Sequence, residues 1–329
     1  MKLRMLVVMC PVILAVSALL LVADDPPQFS PWSAPVNLGA TVNSPTYDWF
    51  PFISKDGLSL YFTALTCSPV PFPGCRQGFG GHDIFVFQRA SVNVPWGPPQ
   101  NLGPNINTPY HEGSPSISAD GHLMYFASTQ PGGFGGADIY VSRRHNKRDD
   151  FGWQLPQNLG SGVNTNANEN GPEIFEDETT GAVTLYFASN RPGGPGPFTD
   201  DVTYDGTDIY SSTLQPDESF GPATLVAELN TPFIERQTTI RGDGLEIFLG
   251  SNRPGNWGFY DLWVSTRATT SDPWSTPVNL GPSVNTAFTD GGPAISFDGT
   301  ALYISSNRAG GFGLMDLYVS TRTKLKGVD

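Results

Sequence analysis

The chain has 329 residues with 37 glycines, 30 prolines, 12% aromatic and 15% charged side chains, which suits neither a disordered acidic polymer nor a helical bundle and fits a turn-rich β protein. The length admits two ordinary domains or one large β architecture. Acidic residues outnumber basic ones 31 to 18, which disfavours nucleic acid and anionic lipid surfaces as partners.

At the N-terminus, Lys2 and Arg4 precede an apolar run from Met5 to Ala23 that ends at Asp24-Asp25-Pro26-Pro27, the pattern of an export signal over residues 1–23. Val16-Ser17-Ala18 and Leu21-Val22-Ala23 offer small-residue cleavage sites, and the run is also long enough to remain as an uncleaved membrane anchor. Cys10 follows Met9 rather than a small residue, which argues against lipid modification. Without Lys2 and Arg4, 16 basic residues face 31 acidic ones, a balance of about −15. The expected location is extracytoplasmic, periplasmic or secreted, with no membrane insertion once the leader is removed.

Beyond the leader, one unit occurs five times. Its plainest markers are Asp83-Ile84-Phe85-Val86, Asp138-Ile139-Tyr140-Val141, Asp208-Ile209-Tyr210-Ser211, Asp261-Leu262-Trp263-Val264 and Asp316-Leu317-Tyr318-Val319. Each is preceded by an apolar strand, from Leu60-Tyr61-Phe62 to Leu302-Tyr303-Ile304, and four units carry an Asp-Gly turn, which tolerates the positive φ of a tight hairpin. The third unit replaces that turn with the longer Glu176-Asp177-Glu178-Thr179-Thr180-Gly181. Consecutive apolar residues in the middle strands predict sheets covered on both faces, and four strands per unit predict propeller blades. No capped amphipathic helix is evident.

The segment Pro31-Trp32-Ser33-Ala34-Pro35-Val36-Asn37-Leu38-Gly39 nearly repeats Pro273-Trp274-Ser275-Thr276-Pro277-Val278-Asn279-Leu280-Gly281, yet it precedes the first unit, while the last unit lacks this strand. The N-terminal segment is therefore expected to complete the fifth blade and close the ring, removing exposed edges. The fold expected is all-β, a single five-bladed propeller over residues 24–329 and monomeric. The copies at Ser54-Lys55-Asp56-Gly57, Ser118-Ala119-Asp120-Gly121, Ser189-Asn190-Arg191-Pro192-Gly193-Gly194 and Gly132-Gly133-Phe134-Gly135-Gly136-Ala137-Asp138 resemble the WD40-like β-propeller repeats of the TolB type over residues 31 to 322. That resemblance implies a binding or scaffolding module of the cell envelope, with an envelope protein or a polysaccharide as partner.

Two repeated sets are candidate ligand-binding residues. Asp48, Glu112, Glu169, Glu235 and Asp290 precede the first strand of each blade, and a ring of them would either concentrate negative potential at one mouth or staple blades through hydrogen bonds. Phe79, Phe134, Tyr204, Trp257 and Phe312 lie four residues before each third-strand Asp and would act as stacking platforms or as plugs between blades. The third-strand aspartates read as structural, approaching Arg191, Arg253 or Arg308 in three blades. Trp32, Trp96, Trp153 and Trp274, with Phe220, read as inter-blade core.

Cys67 and Cys75 flank a Pro-rich stretch and are expected to form a disulfide in an oxidising compartment. No cofactor is expected; Asp200, Asp201 and Asp205 near Asp208 form an oxygen-rich loop that calcium could use, without the spacing of a calcium-binding series. Because the blades repeat the same groups and no nucleophile elbow or metalloprotease motif is present, the expected function is non-catalytic recognition. The alternative is a five-bladed glycoside hydrolase that uses a pair of carboxylates from the acidic ring.

Overall fold

The structure, a computed structural model, describes residues 28–67, 74–197 and 208–325. Strand β1 (Val36–Asn37) stands first. Blade 1 comprises β2 (Asp48–Ile53), β3 (Ser59–Leu65), β4 (His82–Gln88) and β5 (Gln100–Asn101). Blade 2 comprises β6 (Glu112–Ile117), β7 (Leu123–Ser128), β8 (Asp138–Arg143) and β9 (Gln157–Asn158). Blade 3 comprises β10 (Glu169–Glu176), β11 (Val183–Ser189), β12 (Asp208–Thr213) and β13 (Thr224–Leu225). Blade 4 comprises β14 (Glu235–Ile240), β15 (Glu246–Ser251), β16 (Asp261–Thr266) and β17 (Val278–Asn279). Blade 5 takes β18 (Asp290–Ile295), β19 (Ala301–Ser306) and β20 (Asp316–Thr321), and β1 is its outer strand. All pairings within the blades are antiparallel, so the fold is a five-bladed propeller; a single 3-10 turn, Ala227–Leu229, is the only helical element among the described residues.

Closure agrees with the sequence-based expectation. Val36 pairs with Val319 and Asn37 with Tyr318, and the Asn37 amide donates to Asp316 at 2.9 Å. Trp32 lies under the guanidinium of Arg322, 4.4 Å from its ring centre. The same arginine-over-tryptophan contact recurs at Arg89–Trp96, Arg144–Trp153 and Arg267–Trp274, and in each of these four blades the arginine Nε also donates at 2.7 Å to the glycine carbonyl of the first hairpin turn. The guanidinium thereby ties two turns on the same side of the blade while covering an aromatic face. Blade 3 has Leu214 and Phe220 in these places.

The core consists of five clusters, one at each junction of adjacent blades, because both faces of every middle strand are covered. Ile84 and Met124 meet between blades 1 and 2, and Leu60 and Leu317 between blades 1 and 5. Burying residues of this size contributes about 1.5–3 kcal/mol each.

The Cys67–Cys75 disulfide is present, with α-carbons 5.3 Å apart. It closes an insertion in blade 1 just ahead of Arg76. In blades 3, 4 and 5 a Ser-Asn-Arg run sends an arginine to a buried acid and to a backbone carbonyl, as in Arg253 to Glu235 and Leu229. Arg76 makes the same two contacts, to Asp48 at 2.8 Å and to the carbonyl of Val42 at 2.5 Å, from a different place in the chain. The disulfide is consistent with an oxidising, extracytoplasmic setting. The leader at residues 1–23 lies outside the described residues, among which no helix is long and apolar enough to cross a membrane.

Candidate active site on the propeller axis

The acidic ring is buried rather than open at a mouth: Asp48, Glu112, Glu169, Glu235 and Asp290 have no accessible surface. In the last four, each carboxylate accepts the backbone N–H and the hydroxyl of a threonine four residues earlier; Glu169 takes Thr165 at 2.7 Å twice. A serine hydroxyl from the neighbouring strand completes the set, for example Ser189 on Glu169 at 2.8 Å. Arg191, Arg253 and Arg308 pair with Glu169, Glu235 and Asp290, which corrects the expectation that they approach the third-strand aspartates. Asp83, Asp138, Asp261 and Asp316 instead accept the N–H of the residue four before, such as Trp257 on Asp261 at 2.7 Å, together with an asparagine side chain of the outer strand, while Asp208 accepts the Gly196 N–H at 3.1 Å. Burial pushes the Glu112 and Glu235 carboxyls above the ordinary range. A carboxylate pair drawn from this ring has no access to a substrate.

Phe79, Phe134, Trp257 and Phe312 are exposed, so they do not plug the blade junctions. The glycine after each lets the loop lie against the next blade: a Cβ on Gly135 would stand 2.1 Å from the carbonyl oxygen of Ala167. Tyr204, Asp200, Asp201 and Asp205 lie outside the described residues, and among those described no cluster of three His, Cys, Asp or Glu is placed to hold a metal ion.

Asymmetry enters along the axis. Every innermost strand breaks register after its ring acid, and two residues past that acid Phe50, Ser114 and Gln237 adopt positive φ of 51°, 52° and 34°, with glycines 171 and 292 in the other two blades. Such backbone at non-glycine residues costs on the order of 1–3 kcal/mol each and tends to collect at functional sites. The bulge re-aims the side chains of the remainder of the strand. Four residues past each ring acid stand Phe52, Ser116, Glu173, Thr239 and Ala294, all paired across to the equivalent aromatic position of the second strand. Only one of the five ionises.

Glu173 is buried among three donors from flanking blades. Ser116 Oγ donates to one carboxyl oxygen at 3.0 Å; Thr239 Oγ1 and the Ile240 N–H donate to the other at 3.0 and 2.9 Å. The two hydroxyls in turn accept from the Ile174 and Ile295 amides, so their protons are directed at Glu173. Burial raises the Glu173 carboxyl to about 7 against the opposing pull of these hydrogen bonds. The residue borders an axial cavity of about 70 Å³ that also touches Lys55, Glu176 and Phe297. Glu176 is at the mouth because the longer turn of blade 3 lets β10 run on to that residue, where it accepts the Ala119 N–H at 2.9 Å. Lys55 sits 3.9 Å over the Phe297 ring across the same mouth.

Fold and axis together define a five-bladed propeller with one ionisable carboxyl poised near neutrality beside a central cavity. No protein-family model matches the chain, and no curated protein matches it. Among solved structures, the catalytic domain of a Coprinopsis cinerea GH62 α-L-arabinofuranosidase superposes with a TM-score of 0.54 at 13% identity, covering 90% of this chain and 98% of that one. An α-L-arabinofuranosidase from Lactobacillus brevis gives 0.56 at 15%, covering 88% and 93%. A GH43 β-xylosidase/α-arabinofuranosidase from a compost microbial metagenome gives 0.55 at 15%, covering 91% and 95%. At these identities the likeness establishes the shared fold. It corrects two expectations: the neighbours are glycoside hydrolase propellers rather than TolB-type proteins, and the non-catalytic reading, which rested on blades repeating the same groups, meets both enzymatic neighbours and an axis where the blades differ.

Ring acids stood out because they recur in every blade, whereas Glu173 is singled out by not recurring. The signal was available: comparing the blades position by position after the ring acid isolates one carboxylate among Phe, Ser, Thr and Ala.

Proposed function

We propose that the protein is a glycoside hydrolase whose chemistry sits at the turn-side mouth of the axis. The observation that carries this is Glu173: the axial carboxyl, buried so that it keeps its proton up to about pH 7, and bordering a cavity. A carboxylic acid still protonated near neutrality can protonate a departing glycosidic oxygen. Glu176, three residues further along the strand and bordering the same cavity, is the second carboxylate. Carboxyl groups about 6.5–9.5 Å apart admit a water between acid and base and lead to inversion at the anomeric carbon, whereas groups about 5–5.5 Å apart lead to retention.

The names of the fold neighbours make α-L-arabinofuranosides and β-xylosides the first substrates to assay. Activity is expected on at least one such polymer, and the anomer that proton NMR shows first reads the separation of the two carboxyl groups. No hydrolysis across a broad panel of polysaccharides would remove the reading.

A further inference from the structure

The axial cavity continues sideways into a groove of about 370 Å³ at the junction of blades 1 and 2, sharing Phe52, Lys55, Ile117 and Ala119 with it. That volume suits one or two sugar rings. In a chain with a net charge of −13, the groove is bordered by Lys55, Arg144, Lys147 and Arg148 against Asp56 and Asp120.

The two acids are committed to their own turns. Asp56 accepts from Ser54 Oγ and the Leu58 N–H, and Asp120 from Ser118 Oγ and the His122 N–H. Arg144 is buried and salt-bridged to Asp150 at 2.6 Å. Lys147 and Arg148 are different: both are exposed on the loop between β8 and β9, and neither enters a salt bridge among the described residues. The corresponding loops of blades 1 and 4, residues 90–95 and 268–273, contain no lysine or arginine, and that of blade 3 carries Asp217 and Glu218. No other loop that joins a third strand to a fourth carries adjacent cations, so they are not part of the repeat architecture.

We propose that this groove is a subsite for an anionic sugar, a uronic acid or a sulfate ester, adjoining the residue that is cleaved at the axis. Lys147 and Arg148 would face the anion, while Lys55, paired with Glu178 at 3.3 Å, stands between the groove and Glu173. Opposite charges at such a half-exposed site attract at short range and weaken with salt. The proposal rests on the hydrolase reading for the sugar at the axis, but its test is binding.

The experiment is calorimetric titration of the protein at low salt with three probes: tri-galacturonic acid, a sulfated galactose trisaccharide without carboxylates, and neutral xylotriose. At least one anionic probe is expected to bind tenfold or more tighter than xylotriose, and which one does so separates carboxylate from sulfate recognition. The exposed-loop double variant Lys147→Glu/Arg148→Glu should lose that preference, while circular dichroism stays that of the parent. Equal affinity for charged and neutral probes, or a preference untouched by the double variant, would overturn the subsite. Anion binding with no hydrolysis of any glycoside would leave the subsite standing and remove the hydrolase reading. Glu173-dependent hydrolysis without anion preference would do the reverse.

Discussion

At the residue scale the two kinds of carboxyl in this protein are set apart by their partners. Asp48, Glu169, Glu235 and Asp290 each face an arginine, while Glu112 and Glu173 have only neutral donors. Burial without a cation therefore holds the Glu173 proton to about pH 7. The linkage has a definite sign. Below the ordinary Glu value of 4.5 both folded and unfolded states keep the proton; between there and about 7 only the folded state does, so stability falls as pH rises through that window, by about 3 kcal/mol in all. Glu173→Gln should flatten this slope in urea titrations run from pH 4.5 to 8, leaving the smaller fall contributed by Asp83, which burial raises to about 6. An unchanged slope would mean the proton is lost at ordinary pH. Removing a cation from a ring acid has the opposite character: Arg76→Ala leaves Asp48 buried and unpaired, with an expected loss of about 3–5 kcal/mol by denaturant unfolding.

At the scale of elements, two irregular segments restore or extend the repeat. The disulfide-closed insertion in blade 1 brings Arg76 to the place that a Ser-Asn-Arg run fills elsewhere. Reduction, or Cys67→Ser/Cys75→Ser, is expected to destabilise by about 2.5 kcal/mol from the freed loop entropy, with additional loss if Arg76 leaves Asp48. Stability equal to the parent would show that Arg76 is held without the bond. Strand β1 is the other element. Deleting residues 28–38 exposes the edge of β20, and hydrogen exchange should accelerate across Asp316–Thr321 while blades 2 and 3 stay protected. Much of this level was legible in the sequence, because blade markers, Asp-Gly turns and the displaced Trp32 segment act through local chemistry repeated five times. The Arg76 substitution was not, since its equivalence to Arg191, Arg253 and Arg308 exists only in space.

At the scale of the whole molecule, near-symmetry provides the frame, and the positions that break it gather at one end of the axis. Five junction clusters and buried acid staples recur around the axis, so they identify the propeller and mask the positions that differ. The exceptions share one side: Glu173, Glu176 and Lys55 at the axial mouth, with Lys147 and Arg148 beside it. Phe79, Phe134, Trp257 and Phe312 are exposed on the loops between second and third strands, at the opposite end of the strands from that mouth. The most direct measurement compares Glu173→Gln with the parent on two classes of substrate of the same sugar, a polysaccharide and an aryl glycoside with an activated leaving group. An acid that protonates the departing oxygen should lose about 10²–10⁴-fold on the polysaccharide and far less on the activated glycoside, which leaves without a proton. Equal losses on both, or none on either, would contradict the assignment of Glu173 as the proton donor.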